Sequence, residues 1–134
     1  MKKLLLICLL PFLIFSCNSK DEFEGIENGV SLALATSRKA IVSNINYKLE
    51  FRVPAALTQP IQSLETLSFN LSDNSEDLLL DFRESADKLK GIIVNDQSAE
   101  INFKNEHIII SKDLLRRGKN IIEINFFAGE TSLN

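Results

Sequence analysis

His107 is the only histidine of the chain. A zinc site of the HExxH type needs two histidines one helical turn apart, with the glutamate between them acting as the base. Such a site therefore cannot exist in these 134 residues. His107 lies at a predicted junction of a turn and a strand, where we expect a solvated or capping imidazole rather than a general base.

Carboxylates are the next candidates for chemistry. Six of them lie close together in the sequence, at Asp73, Glu76, Asp77, Asp81, Glu84 and Asp87. A carboxylate pair can do acid–base chemistry or hold calcium, but this spacing matches no calcium-binding loop. The five glycines form no phosphate loop, and no serine lies in a G-x-S-x-G elbow. We therefore interpret the six as a solvated surface, and predict that the chain is not an enzyme and has no catalytic residue, metal ligand or cofactor.

Cys17 has the clearest chemical role. Lys2 and Lys3 precede an apolar stretch, residues 4–15, which is too short to span a bilayer and is typical of a secretory leader. The stretch ends in residues 13–17, LIFSC, which look like a bacterial lipobox, where cleavage precedes a lipid-bearing cysteine. The alternatives are an ordinary cleaved leader with an incidental cysteine, or an uncleaved membrane anchor.

We accordingly expect a lipoprotein signal peptide over residues 1–16 and a polar tether, lipidated at Cys17, over residues 17–28. More than one acyl chain would hold the protein on a membrane without a transmembrane helix. The expected location is the cell envelope, as an outer-membrane lipoprotein facing either the periplasm or the cell surface. Lys20, Asp21 and Glu22 resemble the lysine-plus-acid signal that sends some Bacteroidetes lipoproteins to the surface; the alternative is a generic solvated tether.

Charge and cysteine count narrow the class further. The net charge is −3, and removal of Lys2 and Lys3 with the leader makes the rest more acidic, which disfavours nucleic-acid binding. Cys8 would leave with the leader and Cys17 would be acylated, so no disulfide is expected. The remaining chain is long enough for one small domain.

The elements that would position these residues are mostly short strands. A helix is predicted over about residues 31–41, with Ser31 as a possible N-cap. A strand with one buried face follows, because apolar and polar residues alternate until Pro54. Its apolar residues are Ile45, Tyr47, Leu49, Phe51 and Val53.

Further strands are predicted along the rest of the chain. Residues 66–72 indicate a strand antiparallel to the first, and residues 78–82 one buried on both faces. Residues 92–94 and 101–103 predict a hairpin around the turn at 95–97, and a second turn at 104–106 precedes a strand at 108–110. One helical turn at 111–117 ends at Gly118, before a last strand over 122–126. About seven short strands favour an all-β, antiparallel β-sandwich.

A collinear set of segments resembles the N-terminal domain of the aminopeptidase N family of zinc peptidases, in the form found in Bacteroidetes-like members. The segments are residues 29–35, 38–40, 45–49, 81–83, 94–95, 105–110, 115–120 and 127–134. The resemblance covers about residues 29–134. It implies a saddle-like β-sandwich that packs against a separate catalytic domain and continues past Asn134, so that the domain would be incomplete at its C-terminus.

Two functions follow. The resemblance implies a non-catalytic N-terminal domain of a membrane-anchored zinc aminopeptidase, which removes N-terminal residues from peptides. Zinc and the peptide substrate would belong to the parent's catalytic domain; the partners of this chain would be that missing domain and the membrane. This hypothesis predicts an uncovered apolar interface. The alternative is a stand-alone envelope lipoprotein whose β-sandwich binds a partner or ligand. The sequence leaves the substrate preference and oligomeric state open.

Overall fold

The computed structural model describes residues 25–56 and 58–128. The predictions for the signal peptide, for lipidation of Cys17 and for the motif at Lys20, Asp21 and Glu22 concern residues outside this part of the chain. Within the described residues, no helix is both long enough and apolar enough to cross a membrane.

The described residues form eight β-strands and one α-helix. In chain order these are α1 (Leu32–Ile41), β1 (Val42–Arg52), β2 (Gln62–Leu71), β3 (Leu78–Asp81), β4 (Leu89–Val94), β5 (Gln97–Ala99), β6 (Phe103–Lys104), β7 (His107–Ile110) and β8 (Gly118–Phe127). Two single 3₁₀ turns are added at Ala86–Lys88 and Lys112–Leu114. The strands pair antiparallel in a five-stranded sheet, β1-β2-β8-β4-β5, and a three-stranded sheet, β3-β7-β6. The all-β, antiparallel class is confirmed.

The helix also agrees with its prediction. Ser31 caps it, because its hydroxyl accepts a hydrogen bond of 3.2 Å from the backbone N–H of Leu34. The helix contains no buried residue, and only Ile41, at its end, packs against the core. β1 begins at the very next residue, so α1 is held by its continuity with the sheet. The N–H of Ser72 also donates to the Ile41 carbonyl at 2.9 Å, and an ion pair described below adds to this attachment.

Both sheets contribute to one apolar core. Its buried members are Leu67, Phe69, Leu71, Leu78, Leu89, Ile92, Val94, Ile108, Ile110, Leu115, Ile122 and Ile124. Leu78, Ile108 and Ile110 come from the three-stranded sheet. None of the twelve comes from β1, which adds only the partly buried Val42. The core therefore lies beneath β2, β8 and β4 and stops short of the edge of the larger sheet.

Two tight turns lie where the sequence places them. Asn95 and Asp96 have φ angles of 49° and 69°, and Asn105 and Glu106 have φ angles of 49° and 65°. Two consecutive residues with positive φ are the requirement of a type I′ hairpin turn, and asparagine tolerates this conformation better than most residues do. Each turn therefore connects two strands that pair at once.

The second strand of the first hairpin was predicted wrongly. A two-residue turn makes pairing begin immediately, with Val94 opposite Gln97, so β5 spans Gln97–Ala99. Ile101 lies outside any strand and is exposed, and Phe103 starts β6 in the other sheet. The prediction placed this strand where apolar residues alternate, whereas the turn sets where pairing with β4 begins.

The burial predicted for β3 is also wrong. Leu78 is buried, but Leu79 and Leu80 are only partly buried. The reason is that β3 is an edge strand, which pairs with β7 alone among the described residues.

A buried asparagine, Asn120, fixes the start of β8 and was not singled out in the sequence. Its side-chain oxygen accepts from the side chain of Asn95 at 2.9 Å and from the N–H of Arg116 at 3.0 Å. Its amide nitrogen donates to the carbonyls of Arg116, at 2.7 Å, and Gly118, at 3.0 Å. The side chain is fully buried, so these four bonds satisfy a group that would otherwise be costly to desolvate.

Candidate functional site

From Ile45 onward, the apolar residues of β1 are exposed rather than buried, and so is Val53, which follows the strand. We call Ile45, Tyr47, Leu49, Phe51 and Val53 the β1 apolar row; their exposed fractions lie between 50% and 74%. The prediction that this face is buried is wrong. Exposed apolar residues are ordinary when scattered, but a contiguous row on one strand is typical of an interaction surface.

The row continues the face of the sheet that carries the core. In the antiparallel register, Tyr47 lies opposite Leu67, and residues directly opposite each other project from the same face. Leu67 is only 4% exposed, whereas Tyr47, one strand away, is 60% exposed. The alternation therefore identified the correct face, but within the described part of the chain this face is only partly covered at β1. The core cluster, to which the three-stranded sheet contributes, ends before β1.

A groove of about 340 Å³ lies beside the row. Its lining comes from α1, β1, β2 and β3 and consists of Arg38, Lys39, Val42, Ile45, Tyr47, Leu67, Phe69, Leu78, Leu79 and Leu80. Arg38 and Lys39 come from the last turn of α1, and the other eight residues are apolar or aromatic. The groove is thus suited to an apolar segment or ligand, with Lys39 at its rim to attract an acidic group, since Arg38 is already bound by Asp81.

The same face becomes polar toward the far end of β1. Glu65 lies opposite Leu49, and burial raises the pKa of its carboxyl above the ordinary value of 4.5. Ser63 lies opposite Phe51 and is buried, and its hydroxyl has no hydrogen-bond partner within the described part of the chain. A surface that docks here would meet apolar side chains along β1 and the half-buried carboxyl of Glu65, whereas the Ser63 hydroxyl is inaccessible.

His107 forms a second cluster with Asp81 and Arg38. The imidazole is 1% exposed, so of the two expectations, a solvated or a capping ring, the solvated one is wrong. Its Nε2 lies 2.9 Å from the carbonyl of Gly29 and 3.2 Å from that of Glu27. Because carbonyl oxygens only accept hydrogen bonds, Nε2 must carry the hydrogen. The ring therefore holds the segment that leads into α1.

Asp81 connects this ring to the helix. Its two carboxylate oxygens accept from Arg38 at 2.7 and 2.8 Å, the paired geometry that favours strong binding of a guanidinium. His107 Nδ1 also lies 3.0 Å from Oδ1 of Asp81. The register explains the meeting, since Asp81 lies opposite His107 in the β3–β7 pair.

This cluster is a structural clamp. Both ring nitrogens of His107 face groups of the chain itself, and the ring is inaccessible, so no nitrogen is available to a substrate. Asn105 adds to the clamp, because its side chain donates to the carbonyl of Ile26 at 2.6 Å. No local sequence pattern predicts this clamp, since the residues that meet are far apart along the chain.

Asp73 and Asp77 hold local structure. Asp73 accepts from Ser75 at 2.7 Å and from Arg117 at 3.1 Å, and Asp77 accepts from the N–H of Lys112 at 2.8 Å. Across residues 25–56 and 58–128, no group of three or more His, Cys, Asp and Glu side chains could hold a metal ion. The described residues therefore offer no fit for zinc.

Comparison with known proteins leaves the family unassigned. No protein-family model matches the chain, and no curated protein matches it. The aminopeptidase N family stays a resemblance.

Two leucines on the same face should respond differently to truncation. Leu49→Ala, at a half-exposed position, should lower the free energy of unfolding by about 1 kcal/mol or less, whereas Leu67→Ala, at a buried one, should lower it by about 2–5 kcal/mol. Urea unfolding followed by circular dichroism measures both. Equal losses would mean that the β1 apolar row is covered in solution.

The Arg38–Asp81 pair should make stability depend on acid. The hydrogen bond from Arg38 lowers the pKa of the Asp81 carboxyl below its ordinary 3.8. The pair therefore stabilises the fold fully above pH 3.8, and this contribution is lost as the pH falls through the lower pKa of the folded state. Asp81→Asn should cost about 0.5–1 kcal/mol at neutral pH, because the pair is partly exposed, and nothing at the acid end.

The measurement is the difference in unfolding free energy between the native chain and Asp81→Asn as the pH is lowered from 6 to 2. Arg38→Gln should flatten the same acid limb, and the double variant should add little to either single change, because both act on one pair. A difference that does not change with pH would contradict this assignment.

Proposed function

We propose that this chain is a non-catalytic docking domain of the cell envelope, equivalent to the N-terminal domain of a zinc aminopeptidase of the aminopeptidase N type. In this proposal its two sheets form a saddle-like β-sandwich, and the β1 apolar row lies against a catalytic domain. That domain would supply zinc, which polarises the scissile peptide carbonyl and activates water. The residues of this chain would shape one side of the cleft and take no part in the chemistry.

The exposed β1 apolar row is the observation that carries the proposal. Five apolar side chains of this row are at least half exposed. Such exposure disfavours a free domain, because apolar surface in water is unfavourable by about 25 cal/mol per Å². The hypothesis of a severed interface requires such a surface. The adjoining groove adds an apolar recess in which a projecting side chain of the partner can be buried.

The membrane attachment is proposed from the sequence alone. Cys17 follows the apolar leader and Ser16, and lipid on its thiol would hold the chain at the outer membrane, facing either the periplasm or the cell surface. Lys20, Asp21 and Glu22 would bear on which side is reached. The described residues begin at Gly25, close enough in sequence to keep the domain near the lipid.

Lipidation is tested by feeding a labelled fatty acid to bacteria that express the full chain. We expect the label in the membrane-associated chain and its loss in Cys17→Ser, whereas Cys8→Ser should keep it, since Cys8 lies inside the leader. Equal labelling of Cys17→Ser would contradict the anchor.

The first test of the docking proposal is to sequence the DNA that follows this chain's codons. The region after the Asn134 codon is translated in three frames, and we expect a segment containing HExxH. That segment, produced as a separate chain in the same cells, should co-purify with the present chain. Phe51→Asp should weaken the complex at least about tenfold, because it places a charge in the apolar interface.

Ile93→Asp is the matched control for that experiment. Ile93 is also an exposed apolar residue of the five-stranded sheet, but it pairs with Glu123 on β8, away from the β1 apolar row. It should leave the complex unchanged. Unrelated sequence after the Asn134 codon would overturn the aminopeptidase proposal and favour the alternative, a stand-alone lipoprotein that uses the groove between β1 and β3 for a partner or ligand.

A further inference from the structure

The free edge of β1 differs from the other sheet edges. Among the described residues, β1 has a strand on one side only, and it is eleven residues long. The other edge strands are short: β5 has three residues, β3 four and β6 two. Short edge strands are one way in which proteins prevent pairing with other chains. That protection is absent at β1.

The regular part of β1 is complementary to itself. A register shift interrupts β1 between Ser43 and Asn46, and from Asn46 to Arg52 every residue pairs regularly with β2. These seven residues read NYKLEFR, with Leu49 at the centre. Turned end to end about Leu49, the segment sets an aromatic residue opposite an aromatic residue and a cation opposite an anion.

We propose that the free edge of β1 pairs with β1 of a second copy of this chain, antiparallel and in the register that places Leu49 opposite Leu49. The two five-stranded sheets then form one continuous sheet around a two-fold axis. Such an interface is closed, because each copy presents the same strand to the other.

Charge selects this register. Lys48 and Glu50 already form a 2.6 Å ion pair within the strand, on the polar face. In the proposed register, Lys48 of each copy lies opposite Glu50 of the other, so four charges of alternating sign meet at the axis. Opposite charges directly across a strand pair are stabilising and like charges are destabilising.

The neighbouring registers are excluded by the same charges. A pairing centred on Lys48 sets Lys48 opposite Lys48, and a pairing centred on Glu50 sets Glu50 opposite Glu50. A pairing centred between two residues sets each residue opposite its neighbour in the sequence. The β1 apolar row of one copy then lies opposite the polar face of the other, because side chains alternate between faces. Of the registers centred on Lys48, Leu49 and Glu50, only the one centred on Leu49 satisfies both conditions. A register centred on Phe51 sets Glu50 opposite Arg52 but pairs only three residues of β1, whereas the Leu49 register pairs the seven residues from Asn46 to Arg52.

The apolar side gains as well. Tyr47 of each copy lies opposite Phe51 of the other, and Leu49 meets Leu49, so the two rows become one continuous apolar strip. The pairing uses the backbone edge of β1 and leaves the face of the strip open. It therefore rests on β1 alone and does not depend on the proposed aminopeptidase partner.

Cysteine cross-linking reads the register directly. Opposite residues of an antiparallel pair have Cα atoms about 4.5–5.5 Å apart, within the span of a disulfide. Leu49→Cys, in the full chain carrying Cys8→Ser, should form a disulfide-linked dimer in oxidised bacterial membranes. Tyr47→Cys alone and Phe51→Cys alone should not, because each lies about 13 Å from its own copy. Co-expressed, these two chains should link to each other.

The controls separate this inference from the lipid anchor. The chain with Cys8→Ser and no added cysteine should give no dimer; a dimer there would report a free Cys17 thiol and count against lipidation, without bearing on β1. Equal cross-linking at positions 47, 49 and 51 would indicate random collision and overturn the proposed register. Absence of a dimer with Leu49→Cys, in a chain shown to be folded by circular dichroism, would overturn the pairing itself.

A charge exchange gives a second, independent measurement. We expect the detergent-extracted full chain to have twice the single-chain mass by light scattering, with the detergent contribution subtracted. Lys48→Glu and Glu50→Lys should each weaken self-association by about tenfold, since the two-fold axis makes every change count twice. The double exchange should restore it. Lys119→Glu, the same charge change on β8, should have no effect; a monomeric native chain would overturn the inference.

Discussion

The five-stranded sheet is two strands wider than the three-stranded sheet with which it shares its core, and the main surface features of the molecule follow from this mismatch. β1 has an apolar face that the core does not reach, and a groove opens between β1 and β3. Among the described residues, both strands also end their sheets with a free edge. Burying one large apolar side chain is worth about 1.5–3 kcal/mol. The β1 apolar row therefore holds several kcal/mol that association with a partner can recover, against the entropy lost on binding.

The contrast between β1 and β2 shows what sequence alone can establish. Both strands have the alternating pattern, and in both it identifies the face that bears the apolar residues. Leu67 is buried and Leu49 is half exposed, although the two leucines lie on neighbouring strands of one face. The difference comes from the place of each strand in the sheet, which depends on pairing with β8, about fifty residues further along the chain. No local pattern carries that information.

Features set by neighbouring residues could be predicted from the sequence, whereas pairing between distant strands could not. Ser31 and the turns at Asn95 and Asn105 were identified because each acts on its own neighbours. Gly118 was expected to end a helical turn ahead of a strand over 122–126, whereas it begins β8, with a φ angle of 87°. The second strand of the hairpin after β4 was misplaced, since apolar residues outweighed the turn that sets the pairing. The clamp at His107 was missed, because it depends on the β3–β7 register. The aminopeptidase resemblance, lipidation of Cys17 and the function stay proposals.

The clamp also determines how the chain would bear a mechanical load. The segment before α1 is held through three carbonyls, those of Ile26, Glu27 and Gly29, by Asn105 and His107. His107 begins β7, the central strand of the three-stranded sheet. Tension applied from the N-terminal side therefore reaches β7 and the turn before it ahead of the helix. A domain tethered at that side would be pulled by the middle of a sheet, and α1 would stay wound until those bonds break.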